Sequence, residues 1–312
     1  MSSDIFKKSW PYTAIIIAHL IWGANFVVAK LTLQEFPPMS LAFLRFLLAT
    51  VLLLPFVLIE RDKMKVDRED LPALFSIGAL MVTLNIAFFY AGLARTTATS
   101  ASILTMIIPV LSILLSWIFL KEKIFTVNLI GIGTGLLGTV LIIGFPLLIL
   151  GEQLSPQVLI GNFLIILASI VWVIGAIISK KMLQKYSTLT ITAIIFLVGV
   201  LTFAIPAVNE YIQNPLWINQ VTPVGIFGLL FIAILSSVSA YFLFEWGLGR
   251  LGVIKADIFQ YIEPIIATAL AVVVLGEKLQ TSFLIGASFI ALGVYWSTLA
   301  KVHHSHHKAH RV

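Results

Sequence analysis

Cysteine is absent from the 312 residues, which excludes disulfides, thiolate metal sites and cysteine nucleophiles. Charge is scarce as well: 11% of residues are Asp, Glu, Lys or Arg, against roughly 25% in soluble domains. With 60% apolar residues and a mean hydropathy of +1.06, the chain reads as an all-α polytopic membrane protein lying in a lipid bilayer. No HExxH helix, GxSxG elbow or glycine loop followed by Lys-Ser/Thr occurs, so zinc-protease, α/β-hydrolase and P-loop chemistry have no foothold. Neither a cofactor nor a metal is implied.

Crossing the hydrocarbon core takes about 20 mostly apolar residues. Ten such segments can be marked: Tyr12 to Leu33, Ser40 to Ile59, Leu71 to Leu93, Ala98 to Leu120, Val127 to Leu148, Gln157 to Leu183, Leu189 to Val208, Pro223 to Gly247, Val253 to Leu275 and Ser282 to Leu299. Asp70, Ser155 and Thr222 each stand before a first-turn proline as helix caps, and Thr126 and Thr281 stand in matching cap positions. The first segment is too long for a cleaved signal sequence and is expected to remain.

The net charge of +6 needs no nucleic acid to explain it. With even-numbered loops and both termini on one side, sixteen of the 20 Lys and Arg fall on that face. Lys30, Arg95 and Lys278 fall on the other, and Arg45 lies inside a span. The positive-inside rule then predicts cytoplasmic termini.

The chain also repeats itself. Trp22, Lys30 and Phe36 recur as Trp172, Lys180 and Tyr186, an offset of 150. Gly92, Arg95, Pro109, Glu122, Thr126, Gly131 and Gly138 recur as Gly247, Arg250, Pro264, Glu277, Thr281, Gly286 and Gly293, an offset of 155. The pattern predicts ten transmembrane helices as two five-helix repeats, 1–150 and 151–300, followed by a His-rich tail, 301–312. An odd number of crossings per copy inverts the second copy, as in many secondary transporters.

The stretch WGANFVVAK from Trp22 to Lys30, with LAFLRFLLA around Arg45, resembles the opening of EamA-type members of the drug/metabolite transporter superfamily. The paired ends TSASILTMIIPVLSILLSWIFLKEK and KADIFQYIEPIIATALAVVVLGEK, each followed by a Gly-rich span, resemble the same family. That resemblance implies a carrier with inverted five-helix repeats in a bacterial inner membrane, exporting small organic metabolites such as amino acids. It leaves the substrate open. The pattern is broken where Glu263-Pro264 faces Ile108-Pro109.

Pro109 and Pro264 each lack an N–H and clash with the carbonyl four residues back, on Thr105 and Gln260. Such breaks at matching places in two halves point to a central site, a reading favoured over passive kinks because both carbonyls belong to polar residues. Glu263 lies about ten residues into its span, roughly 15 Å at about 1.5 Å per residue, near the midplane. A carboxylate there must face inward, be partnered or be protonated. It is either a proton- or amine-binding group or a lock on the kink. Asp257, Gln260, Tyr261 and Pro264 share one helical face and Glu263 is about 120° away, so the two faces are not expected to meet in one narrow cavity.

Arg45 is expected to snorkel or to pair with a carboxylate; facing a cavity, it would suit anions. Trp22 and Trp172 are either packing residues or walls for an aromatic or zwitterionic substrate. Asn25, Asn85, Thr105, Ser236, Ser239, Gln260 and Tyr261 complete the candidate substrate-binding set, with Arg45, Asp257 and Glu263 as coupling or charge candidates. The hydroxyls and amides could equally hold helices together. Glu245 is expected to reach water or Arg250, and His19 is a weaker candidate for a proton relay.

The runs Gly131, Gly133, Gly135, Gly138 and Gly286, Gly293 suit close helix contacts within the chain first and a homodimer second. The tail HHSHHKAHRV is expected to be solvated rather than a metal site. An intramembrane enzyme acting on a lipophilic or lipid-linked substrate is the competing class, but no catalytic constellation stands out in the sequence.

Overall fold

A computed structural model describes residues 2–120, 126–127, 130–131, 133–138, 141, 155–278, 284–289, 291–293 and 295–296. Eight helices among them are long and apolar enough to cross a membrane: α1 (Trp10–Thr32), α2 (Pro38–Glu60), α3 (Arg68–Leu93), α4 (Ala98–Phe119), α5 (Pro156–Met182), α6 (Thr188–Gln213), α7 (Pro223–Leu251) and α8 (Val253–Leu275). A shorter apolar helix, α9 (Leu284–Gly293), follows. The expected spans Val127 to Leu148 and Ser282 to Leu299 lie partly outside the described residues, and Thr281 and the His-rich tail lie wholly outside them.

Side-chain oxygens start several helices. Thr97, Ser155, Ser187 and Thr222 accept the N–H groups of Ser100, Val158, Thr190 and Val224 respectively, each satisfying an orphan donor of a first turn. Asp70 does not act as the expected cap. Its backbone is already helical, and its carboxylate accepts from Lys185 Nζ and the Tyr186 hydroxyl, both at 2.5 Å. Hydrogen bonds donated to Asp67 and Asp70 hold the Lys185 ammonium above its ordinary range and tie the start of α3 to the loop after α5. Acidic side chains serve other starts from a distance. Glu210 on α6 accepts the Met39 and Ser40 N–H groups of α2, and Glu277 accepts those of Ala98 and Thr99 in α4.

The helices pack in a crossed pattern. The first, α1, lies against α7 and α8, whereas α5 lies against α3 and α4, and α2 pairs with α6. Glycine permits close crossings at two repeat-related places. A Cβ on Gly92 would stand 2.9 Å from the Gly161 carbonyl oxygen, and one on Gly247 would stand 2.5 Å from Ile15 Cγ1. Lysines repeat the theme at the helix ends: Lys30 Nζ donates to the Leu93 and Thr96 carbonyls at 2.6 and 2.7 Å, and Lys180 Nζ to the Gly249 carbonyl at 2.6 Å. Cations at carbonyl-rich C-terminal ends are favourable. Farther along, a Cβ on Gly293 would meet Gly135 N at 2.5 Å and Gly131 O at 2.6 Å, so the two glycine-rich runs cross each other inside one chain.

Four helices lose regularity at matching places. Residues Gly78–Leu84 of α3 and Ile232–Ser239 of α7 widen into π turns. The hydroxyls of Thr83, Ser237 and Ser239 accompany them by donating to carbonyls five residues back. Thr105–Ile107 of α4 and Ile258–Tyr261 of α8 tighten into 3₁₀ turns just before Pro109 and Pro264. Each proline cannot donate, and the preceding turn closes on itself instead. The Ile108 N–H donates to the Thr105 carbonyl, and the Ile262 N–H to those of Phe259 and Gln260. The carbonyls expected to be freed by the prolines are therefore occupied within their own helices.

Candidate substrate site

The irregular turns surround a cavity of about 80 Å³, room for a few waters rather than for a large solute. Helix α1 contributes Trp22, Asn25 and Phe26; α2 contributes Arg45; Asn85, Ile86 and Phe89 come from α3 directly after its π turn. Thr105 and Ile108 come from α4, Ala168, Ser169 and Trp172 from α5, Ser236 and Tyr241 from α7, and Gln260 and Glu263 from α8.

One wall is aromatic and rigid. The Trp22 ring meets Trp172, Tyr241 and Phe244 with centroids 5.4, 5.5 and 5.3 Å apart. Edge-on ring contacts of this kind contribute about 0.5–1.5 kcal/mol each beyond burial. Trp22 Nε1 donates to the Ser236 carbonyl at 3.0 Å, and Asn85 Nδ2 to that of Ala168 at 3.0 Å. Both side chains thus hold helices together and face the cavity at once. Asn25 Oδ1 and Ser236 Oγ are buried there without a hydrogen-bond partner.

Arg45 does not snorkel. It is 1% exposed, and no carboxylate among the described residues lies within 4.0 Å of it. Its Nε donates to Ser237 Oγ and its Nη1 to the Tyr90 hydroxyl, each at 2.9 Å. The guanidinium carbon sits 4.8 Å from the Phe46 ring centroid and 5.8 Å from that of Tyr90. Neutral hydroxyls and ring faces hold the group in place while its charge remains uncompensated. The expected snorkelling fails because the second helix turns this position toward the core, where Tyr90 and Ser237 supply acceptors.

Opposite in sign is Glu263, which shares a hydrogen bond of 2.7 Å with His19 Nδ1 and accepts from Gln260 Nε2 at 3.2 Å. The other ring nitrogen, His19 Nε2, stands 3.2 Å from the Ala256 carbonyl oxygen. The imidazole is thus pinned at both ring nitrogens, between α8's Glu263 and the backbone of Ala256. Gly23 lets α1 approach this point: a Cβ there would stand 3.0 Å from the Glu263 carbonyl oxygen. Gln260 and Glu263 line the same cavity, contrary to the expectation that their faces would diverge. Residues three apart are neighbours on a helix surface, so Gln260 reaches Glu263 although Glu263 lies past the 3₁₀ turn Ile258–Tyr261.

Three expected members stay outside the cavity. Ser239 turns its hydroxyl to the Ile234 carbonyl, and Asp257 is bonded by Ser112 in the interface of α4 and α8. Tyr261 has a buried hydroxyl without a partner, off the cavity lining. Glu245 reaches neither water nor Arg250: it is 0% exposed and accepts from Ser179 Oγ at 2.6 Å. Arg250 lies over Trp246 instead, 3.9 Å from the ring centroid. Phe26, Ile86, Phe89, Ile108, Ala168, Ser169 and Tyr241 are not in the expected set, and apart from Ser169 and Tyr241 nothing polar distinguishes them from ordinary core. No group of three His, Asp or Glu among the described residues could hold a metal ion.

A family model described as the EamA-like transporter family matches residues 9–144 and again 146–299. The chain belongs to this family. It is therefore a transporter and a multi-pass membrane protein, with a small-molecule substrate and a lipid surround. An uncharacterized transporter of Archaeoglobus fulgidus is 33% identical over 95% of this chain and 99% of its own length. A probable amino-acid metabolite efflux pump of Salmonella typhimurium is 26% identical over 91% of this chain and 93% of its own. One solved crystal structure, 19% identical, aligns with a TM-score of 0.66 over 94% of this chain and 97% of that one, a likeness of fold alone. As an EamA-like transporter the chain has the expected class, and both relatives, matched over 99% and 93% of their lengths, carry the names of a transporter and an efflux pump.

Proposed function

We propose that this chain is a secondary carrier that exports small carboxylate-bearing metabolites, amino acids foremost, across a bacterial inner membrane by alternating access. The observation that carries the reading is the Arg45 guanidinium, buried at the cavity wall with no carboxylate beside it. A substrate carboxylate supplies the missing charge, since guanidinium offers a two-pronged fork to such a group. Glu263 takes the substrate ammonium or a proton, and Asn25 Oδ1 and Ser236 Oγ supply further polar contacts. Trp22, Trp172 and Tyr241 enclose the apolar part. The Salmonella relative, named for amino-acid metabolites, agrees with that chemistry.

The moving parts are two inverted five-helix halves, 1–150 and 151–300, with both termini cytoplasmic. Support for the pairing comes from Lys30 and Lys180, from Gly92 and Gly247, and from the paired π and 3₁₀ turns, which all fall at repeat-related positions. A carrier of this type rocks one half against the other about a midplane site. Proteoliposomes loaded in turn with neutral amino acids, nucleosides and sugars provide the test. Saturable efflux of amino acids, lost in Arg45→Gln, supports the reading; equal efflux by the variant, or movement of nucleosides or sugars alone, refutes it.

A further inference from the structure

A second cavity, of about 540 Å³, lies away from the first, beside the start of α2. Phe36, Phe43, Val208, Tyr211, Ile218 and Ile226 form most of its wall. Two clamps fix that wall. Glu210 of α6 accepts the Met39 and Ser40 N–H groups and the Ser40 hydroxyl, and Glu35 accepts the Thr222 N–H and hydroxyl at the start of α7. These bonds join α2 and the turn before it to α6 and α7 around the trough.

Trp217 also lines it, stacked at a tilt on Phe36 with centroids 5.4 Å apart. Its ring is 8% exposed, yet Nε1 has no acceptor. A buried indole N–H almost always has one. No charged side chain lines the trough, and the exposed flanks of Val208, Ile218 and Ile226 open it sideways at the ends of α2, α6 and α7. Tryptophan at helix ends belongs to the depth of lipid headgroups and esters.

We propose that this trough binds one acyl chain of a membrane phospholipid, with the chain's ester carbonyl accepting the Trp217 Nε1 hydrogen. The apolar wall takes the chain, and the single donor takes the ester. With no cation in the wall, the site selects for chain and ester and not for the headgroup.

Native mass spectrometry of the full chain, released from detergent with its retained phospholipid, tests this directly. The unaltered protein should keep one phospholipid per chain, and Ala207→Trp, which fills the trough, should lose it. Trp217→Phe should bind it about fivefold more weakly, the order expected for one hydrogen bond. Where Ala207→Trp fails to fold, reconstitution in phospholipid brominated near the ester decides: the emission lost on Trp217→Phe should be the quenched fraction. Equal lipid retention by all three proteins, an unquenched Trp217, or a dimer that Ala207→Trp converts to lipid-free monomer would each overturn the assignment.

Discussion

His19 on α1 and Glu263 on α8, 244 positions apart in the chain, meet at 2.7 Å with both side chains almost wholly buried. Any proton that enters this pair is shared between two helices. Release of Glu263 from His19 changes both the charge of the cavity wall and the grip of α1 on α8.

Transport should accordingly depend on pH through this pair. Initial rates in proteoliposomes at about pH 6 and about pH 8 should differ for the unaltered protein. They should coincide for Glu263→Gln, with exchange of substrate retained. His19→Gln should alter the profile as well, because Glu263 loses its hydrogen-bond partner on α1. A profile unchanged in Glu263→Gln rules out coupling at this residue.

Arg45→Lys keeps the charge but loses the fork. Substrate affinity should fall about tenfold or more, the effect of losing a charge-assisted hydrogen bond worth about 1.5–3 kcal/mol. Isothermal titration of the purified variants measures it. Tyr90→Phe should show a smaller loss in the same direction, since Tyr90 only orients the guanidinium.

Two glycines separate close packing from mere flexibility. Gly293→Ala drives a Cβ to within 2.5 Å of Gly135 N, a backbone atom that cannot rotate away, and should cost about 1–3 kcal/mol. Gly133→Ala meets nothing within 4 Å and should gain up to about 1 kcal/mol of helix propensity. Thermal unfolding in detergent should move the two variants in opposite directions.

The absence of cysteine makes orientation measurable with single substitutions. Asp62→Cys and Asn219→Cys, both on exposed positions, should label from opposite sides of intact cells. Only Asn219→Cys should react with an impermeant maleimide added outside. The reverse pattern would invert the proposed topology.

Much of the site was legible because polar residues stand out in apolar spans. Trp22, Asn25, Asn85, Thr105, Trp172, Ser236, Gln260 and Glu263 could be picked on that ground, and all line the cavity. What failed was angular reasoning. Gln260 and Glu263 are three residues apart, which on any helix puts them only about 60° from each other, so they share a hydrogen bond and line one cavity, and the π turn Ile232–Ser239 carries Ser239 off the cavity while Ser236 stays on it. The His19–Glu263 contact had no local signal, because its partners lie on helices that only tertiary packing joins. The burial of Arg45 has no local signal either, because its neutral acceptors, Tyr90 and Ser237, lie on distant helices and leave no mark in the sequence around it.

The crossed packing has a consequence for any attempt to divide the chain. Helix α1 finds its neighbours in α7 and α8, and α5 finds its own in α3 and α4. Cut near residue 150, each fragment would hold a leading helix whose mates reside in the other, so neither fragment is a self-sufficient folding unit. Supplied together, the two fragments contain every contact of the intact protein and should assemble by trading their first helices, as two separate polypeptides would have had to do before being joined end to end.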